Sequence, residues 1–291
     1  MHVLTLIAAR EAATLSPGLL AAVRDAVAGA PPDILSPAEA ADIATAAPPD
    51  MHAVHAALAG APVDAVAQPS GPDRRKRLLL ADMDSTIVTS ETLDELADFA
   101  GLKDRIAAIT RRSMNGELDF ATALRERVAM LRGLGLDALE KTWERTRLTP
   151  GAATLVATMR AHGAFAALVS GGFTFFTGRV ATLVGFDAHR ANVLLDDGAA
   201  LTGAVAEPIL DRDTKQRTLH ELAQAHAIPL SATLAVGDGA NDLAMLRDAG
   251  LGVAFHAKPI VAAEARAKIN HADLRAVLFV QGYRAEDLSN A

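Results

Sequence analysis

The residues with the most chemical potential sit in three short stretches, DMDST at 82–86, SGG at 170–172 and GDGAND at 237–242. Each ends an apolar run that reads as a buried strand, and in an open parallel sheet ligands bind beyond the carboxyl ends of the strands. Asp82 and Asp84, two residues apart, project to one side if strand geometry persists. One carboxylate could then attack an ester while the other carries protons to and from the leaving oxygen. Ser170 with Gly171 and Gly172, ahead of a helix, would cradle an anion, because backbone amides and the helix dipole both favour negative charge there. Asp238 could be a hard oxygen ligand for Mg²⁺, which takes one or two carboxylates together with phosphate and water. Each stretch also has a plain structural reading, as a helix cap or a tight strand-to-helix turn.

Other chemistries fail on the same residues. In GDGAND, Asp242 stands where the third glycine of a dinucleotide fingerprint belongs. No G-x-x-x-x-G-K-[ST] loop occurs, and Leu168 occupies the place of the first glycine of a nucleophile elbow around Ser170. None of the nine histidines falls in H-E-x-x-H spacing, and without cysteine there is no thiolate nucleophile, disulfide framework or cysteine-held metal. The 28 Lys and Arg against 35 Asp and Glu leave a net charge of −7, which argues against nucleic acid or an anionic membrane as partner. The opening MHVLTLIAAREAATL lacks a basic leader, and the most apolar stretch, 152–169, is broken by Arg160 and His162, so a cytoplasmic protein is expected.

The elements that must hold these residues follow from pattern. Residues 2–8 read as a strand, 17–29 and 50–59 as helices and VDAVAQ as another strand, a small α/β module closed by the linker QPSGPDRRKR. In that linker Arg74, Arg75, Lys76 and Arg77 read as a solvated flank. From Leu78 strands alternate with helices, as in a parallel sheet with crossover helices. RLLLADMD, AFAALVS, ATLAVGD and LGVAF supply the strands, with a hairpin at Asp197-Gly198. Between Thr92 and Pro150 the text is helical and charged, an insertion after the first strand of this sheet. With 51% apolar content, 291 residues can fill a large domain and an appendage, placed at 73–291 and 1–72 with the helical insertion at about 92–150.

Taken in order, DMDST, SGG, Lys215 in DRDTKQRTL and GDGAND resemble the motif set of the haloacid dehalogenase-type phosphatases. Within that superfamily SETLDELA, RRSMNGELDFATALRERVAMLRGL, VSGGFTFFTGRVA and AVGDGANDLAMLRDAGLGVAFHAKP are similar to the phosphoserine phosphatases, over a span from about Leu78 to Val280. The resemblance implies an α/β fold, a doubly wound parallel sheet with a helical cap. It also implies Mg²⁺-dependent hydrolysis of O-phospho-L-serine through an aspartyl phosphate, the last step of serine biosynthesis. Under it Asp82 is the nucleophile and Asp84 the general acid and base. Mg²⁺ sits on Asp82, Asp238 and the backbone carbonyl of Asp84, with Asp242 supporting that shell. Ser170, Gly171 and Lys215 hold the phosphoryl oxygens with Asn241 beside them. Glu91 and Arg127 answer the ammonium and carboxylate of the substrate, and Met114 and Phe120 form an apolar wall from the cap. Glu91 and Arg127 can also be read as an exposed helix charge pair, and spacing alone favours that reading for Arg127, which lies in the charged run RERV.

The first module is similar to the small regulatory modules fused to some bacterial relatives, of degenerate ACT type. It reads at least as well as a structural or dimerising appendage of a homodimer. Two other functions stay open: the same chemistry on another small phosphomonoester such as phosphohomoserine, and a non-catalytic amino-acid sensor. An intact set of Asp82, Asp84, Lys215 and Asp238 argues against the sensor.

Overall fold

The run Leu78-Leu79-Leu80-Ala81 is apolar at every position because its strand is buried on both faces. Leu78 and Leu80 join one apolar cluster and Leu79 and Ala81 another, as side chains alternating across a sheet must. The computed structural model describes residues 1–12, 14–115 and 117–289, apart from the side chains of Met114 and Arg212.

The first six elements are β1 (His2–Ala8), α1 (Pro17–Ala26), β2 (Asp33–Ser36), β3 (Ala40–Thr45), α2 (Met51–Leu58) and β4 (Val63–Pro69). They form an antiparallel sheet of order β2-β3-β1-β4, the ferredoxin-like βαββαβ arrangement. Ser16 and Asp50 cap the two helices by accepting from Leu19 N and His52 N. The sequence reading has no counterpart of β2 and β3. DILS and AADIAT are rich in Ala and Asp, poor strand formers, and they take strand form from their ladders.

The main sheet begins with β5 (Leu78–Ala81). A cap of four helices follows: α3 (Thr92–Asp98), α4 (Lys103–Met114), α5 (Phe120–Ala129) and α6 (Asp137–Arg145). Next come α7 (Ala152–Ala161), β6 (Phe165–Phe173), α8 (Thr174–Val184) and β7 (Ala188–Asn192). A hairpin, β8 (Leu194–Asp196) and β9 (Leu201–Val205), stands outside the sheet and leads to α9 (Arg212–Ala225). Strands β10 (Thr233–Gly237), β11 (Leu251–Phe255) and β12 (Ala267–Ile269) alternate with α10 (Leu243–Asp248) and α11 (Pro259–Glu264), before α12 (Ala276–Val280).

The six parallel strands lie in the order β12-β11-β10-β5-β6-β7. The chain runs from β5 outward to β7 and then restarts on the other side at β10. The direction of winding therefore reverses between β5 and β10, which opens a crevice at their carboxyl ends. β7, polar, and β12, only three residues long, are edge strands that were not legible in the sequence. The hairpin grips the cap, with Gly133 N donating to Leu201 O and Leu201 N to Leu134 O. Among the described residues no helix is long and apolar enough to cross a membrane.

The ferredoxin-like sheet docks on the rest of the chain through buried polar bonds. Asp64 accepts from the backbone N–H groups of Asn270, His271 and Ala272 at 2.7, 3.1 and 2.9 Å. The apolar core is also continuous, since Ile7, Leu35, Ala40 and Val66 belong to the cluster of Leu79 and Ala81. Of the basic run at 74–77, Arg75 and Arg77 are exposed as the solvated flank expected, whereas Arg74 and Lys76 turn inward. Arg74 pairs with buried Asp42 at 2.7 Å, and buried Lys76 donates to the carbonyls of Asp73 and Ser231. A buried ammonium or guanidinium must find such partners.

Candidate active site

Asp82 is the first residue past the β5 ladder, and its N–H still donates to Val236 O of β10 at 3.0 Å. The strand does not persist beyond it. Residues Met83–Ile87 coil into one wide turn with Ser85 at φ +54°, a left-handed conformation uncommon for a residue with a Cβ. Asp82 and Asp84 thus come to one cavity through a turn, not through the pleat that the sequence reading assumed. Ser85 is held there as its hydroxyl donates to Glu91 Oε1 at 2.6 Å.

Lys215, in the first turn of α9, sends Nζ to within 2.7 Å of Asp82 Oδ1 and 2.6 Å of Asp242 Oδ1. The other oxygen of Asp242 accepts from Asp238 N and Gly239 N at 3.1 and 3.0 Å, which folds the GDGAND loop around it. Asp82, Asp238 and Asp242 are buried, with one carboxylate oxygen of each within 4.8 Å of the others. Asp238 Oδ1 accepts from Thr86 at 3.3 Å, while Oδ2 has no hydrogen-bond donor and Lys258 Nζ stands 3.6 Å away. Burial, and then Asp242, push the Asp238 carboxyl up to about 7. Burial, with Asp242 next, likewise raises Asp82 well above the usual carboxylate range despite Lys215. Three crowded carboxylates with a donorless buried oxygen suit a hard cation bound through oxygen. Both oxygens of Asp242 are already engaged, so Asp82 and Asp238 are the freer donors.

Asp84 joins the cap to the sheet. Its Oδ1 accepts from Thr92 N, the start of α3, at 2.8 Å and its Oδ2 from the Ser170 hydroxyl at 3.1 Å. Burial is the main cause that raises its carboxyl above the usual range. Ser170 Oγ in turn accepts from Gly172 N at 2.8 Å, and Asn192 Nδ2 holds Gly171 O at 2.8 Å. A Cβ on Gly171 would lie 2.6 Å from the tip of Phe120, so only glycine lets the cap ring close over the loop.

A cavity of about 450 Å³ lies between the strand ends and the cap. Asp82, Asp84, Glu91, Phe120, Arg127, Ser170, Gly171 and Asn241 all line it. Lys215, Asp238 and Asp242 stand behind Asp82, and the side chain of Met114 lies outside the described residues. Arg127 is not the exposed helix charge that spacing suggests: it is 7% exposed and donates to Ala123 O and Thr110 Oγ1. Burial, then Asp84, raise the Glu91 carboxyl to about 8. Sequence reading passed over Ser85, Thr86, Asn192 and Lys258. Thr86 and Lys258 fall inside stretches quoted for other residues, whereas nothing in the local sequence marks Asn192.

Fold and site define a class, a capped α/β protein whose acidic, lysine-bridged centre lies at the switch point of a parallel sheet. The family model for haloacid dehalogenase-like hydrolases matches residues 79–247, and the chain belongs to that family. A curated relative, the phosphoserine phosphatase of Streptomyces coelicolor, is 44% identical over 218 residues, 75% of this chain and 53% of its own length. The chain spans about half the length of the first curated relatives it matches. A structure described as a phospho-aspartyl intermediate analogue of phosphoserine phosphatase superposes with TM-score 0.68 at 39% identity, over 70% of this chain and 98% of that one. A probable phosphoserine phosphatase from Vibrio cholerae, unliganded, has TM-score 0.80 at 31% identity, over 97% and 86% of the two chains.

Proposed function

We propose that this protein hydrolyses O-phospho-L-serine to L-serine and phosphate. The observation that carries the reading is one cavity lined by a nucleophile-competent Asp82, an anion cradle at Ser170 and Gly171, and an acidic and a basic side chain, Glu91 and Arg127. The pair matches the ammonium and carboxylate that distinguish phosphoserine from simpler phosphate esters. The phospho-aspartyl state described for a structural relative supports a carboxylate nucleophile in this fold.

In the proposed reaction Asp82 attacks phosphorus as the ester P–O bond breaks, and Asp84 gives its proton to the departing serine oxygen. Asp84 then takes a proton from the water that attacks the acyl phosphate, which frees phosphate and restores Asp82. Lys215 offsets the charge of Asp82 at 2.7 Å, so that a phosphate dianion can approach it. Ser170 and the Gly171 loop hold the phosphoryl oxygens, with Asn241 at the rim. The oxygen-only donors suit Mg²⁺, held by Asp82, Asp238 and the Asp84 carbonyl with Asp242 bracing the loop; when bound it would neutralise and align the phosphate. Glu91 and Arg127 orient the amino-acid end, and Phe120 walls the cavity. We place the boundary of the first module near residue 72, ahead of β5.

Phosphate release should be measured with and without Mg²⁺ on O-phospho-L-serine, phosphohomoserine, phosphoethanolamine and p-nitrophenyl phosphate. Phosphoserine is expected to give the highest kcat/KM. A better rate on an ester lacking either charged group would overturn the assignment.

A further inference from the structure

At the cavity wall three cap helices meet in a chain of buried polar groups that runs from Arg127 to two residues the proposed reaction leaves without a role, Thr110 and Asp94. Asp94 of α3 is 9% exposed, Thr110 of α4 is 3% exposed and Arg127 of α5 is 7% exposed. Thr110 Oγ1 donates to Asp94 Oδ1 at 2.7 Å and accepts from Arg127 Nη1 at 3.0 Å. Thr110 and Arg127 line the cavity, whereas Asp94 does not.

A buried guanidinium beside a buried carboxylate would ordinarily form a direct two-bond fork, which uses up one face of its donors. Here a hydroxyl is inserted between them. It satisfies the carboxylate as a donor and the guanidinium as an acceptor, so the charges balance without the fork. Arg127 Nε is tied back to Ala123 O at 3.2 Å, while no protein acceptor takes Nη2 among the described residues. The guanidinium is thus pinned by Nε and Nη1, and the Nη2 end is left for a ligand.

We propose that Thr110, backed by Asp94, is a positioning residue that keeps Arg127 from collapsing onto Asp94 and presents it to the carboxylate of the substrate. The inference rests on the phosphoserine reading and deepens it. Its signature is selectivity for the carboxylate rather than speed of phosphoryl transfer.

The test is a KM and kcat comparison of wild type, T110V, T110S and D94N on phosphoserine and on phosphoethanolamine, which keeps the ammonium and phosphate but lacks the carboxylate. Valine keeps the shape of threonine and removes the hydroxyl. T110V is expected to raise KM for phosphoserine about tenfold, the scale of one charged hydrogen bond. Its kcat should stay within about threefold of wild type, and KM for phosphoethanolamine within about twofold, because the group it repositions never touches that substrate. T110S should restore selectivity. D94N, which keeps the contact but halves its charge balance, should show the same split in weaker form and serves alone if T110V does not fold. A wild type that does not prefer phosphoserine would sink the phosphoserine reading. A wild-type preference that survives in T110V and D94N, or an equal loss on both substrates, would sink the positioning role alone.

Discussion

Replacing Asp82 by Asn should destroy turnover and yet make the metal-stripped protein more stable. Asp82 lies 2.7 Å from the Lys215 ammonium, an attraction of about 6 kcal/mol at an effective dielectric of about 20. Asp238 and Asp242 lie within 4.8 Å of it, and each repels it by at least about 3.5 kcal/mol on the same scale. Attraction and repulsion therefore nearly cancel, and the cost of burying the charge decides the sign. The neutral, near-isosteric amide escapes that cost while Lys215 keeps Asp242 at 2.6 Å. A gain on the order of 2 kcal/mol is expected, because the loss usual on removing one partner of a buried pair comes from the charge left unpaired, and Lys215 is not left so. In a protein of this size it would lift the midpoint by about 4–8 °C. Thermal unfolding in EDTA and in excess Mg²⁺, for wild type and D82N, reads both quantities. Mg²⁺ should stabilise the wild type more than the variant, because a cation that binds the folded state raises its stability by an amount that grows with the logarithm of its affinity. A lower midpoint for D82N in EDTA, or an undiminished Mg²⁺ increment, would refute the charge-crowding argument; retained turnover would refute the nucleophile.

Two glycine substitutions should separate binding from chemistry. G171A would drive its Cβ into the tip of Phe120 at 2.6 Å, a ring that can swing away, so KM should rise several-fold with the unfolding midpoint within about 2 °C. G172A would meet Asp84 Oδ2 at 2.7 Å and Ser170 Oγ at 3.1 Å, so kcat should fall by roughly a hundredfold, as misplaced reacting groups do. Glu91 holds a proton below about pH 8, so a ligand ammonium that needs its carboxylate must release that proton. Calorimetry of L-serine binding at pH 7 in buffers of different ionisation heat should detect the release and lose it in E91Q. Because the folded state binds this proton more tightly than the unfolded one, Glu91 lowers stability as pH rises from about 4.5 to about 8, and E91Q should flatten that slope. D64A leaves three backbone N–H groups at 270–272 without their acceptor, at a cost of about 3 kcal/mol, so unfolding should begin earlier by roughly 6–12 °C while kcat of the folded enzyme holds.

The sequence alone pointed to the strand-end residues of the candidate site because their pattern is local. A strand buried on both faces must be apolar, so LLLA followed by DMD is visible as a strand that ends in carboxylates, and SGG and GDGAND repeat the pattern on β6 and β10. What it could not supply was the relation between elements. The short β2 and the Ala-rich β3 become strands only through their ladders to each other and to β1. Arg74 and Lys76 look solvated in QPSGPDRRKR, yet Arg74 is half-buried against Asp42 and Lys76 is buried on the Ser231 carbonyl, partners far along the chain. Arg127 has the spacing of a surface charge until α3 and α4 close over it. The same holds for Thr110, whose hydrogen bonds with Asp94 and Arg127 join residues 16 and 17 positions away across separate helices. Residue type and strand ends are written in one dimension, whereas burial, and the partner that makes burial tolerable, exist only once the helices and sheets have packed.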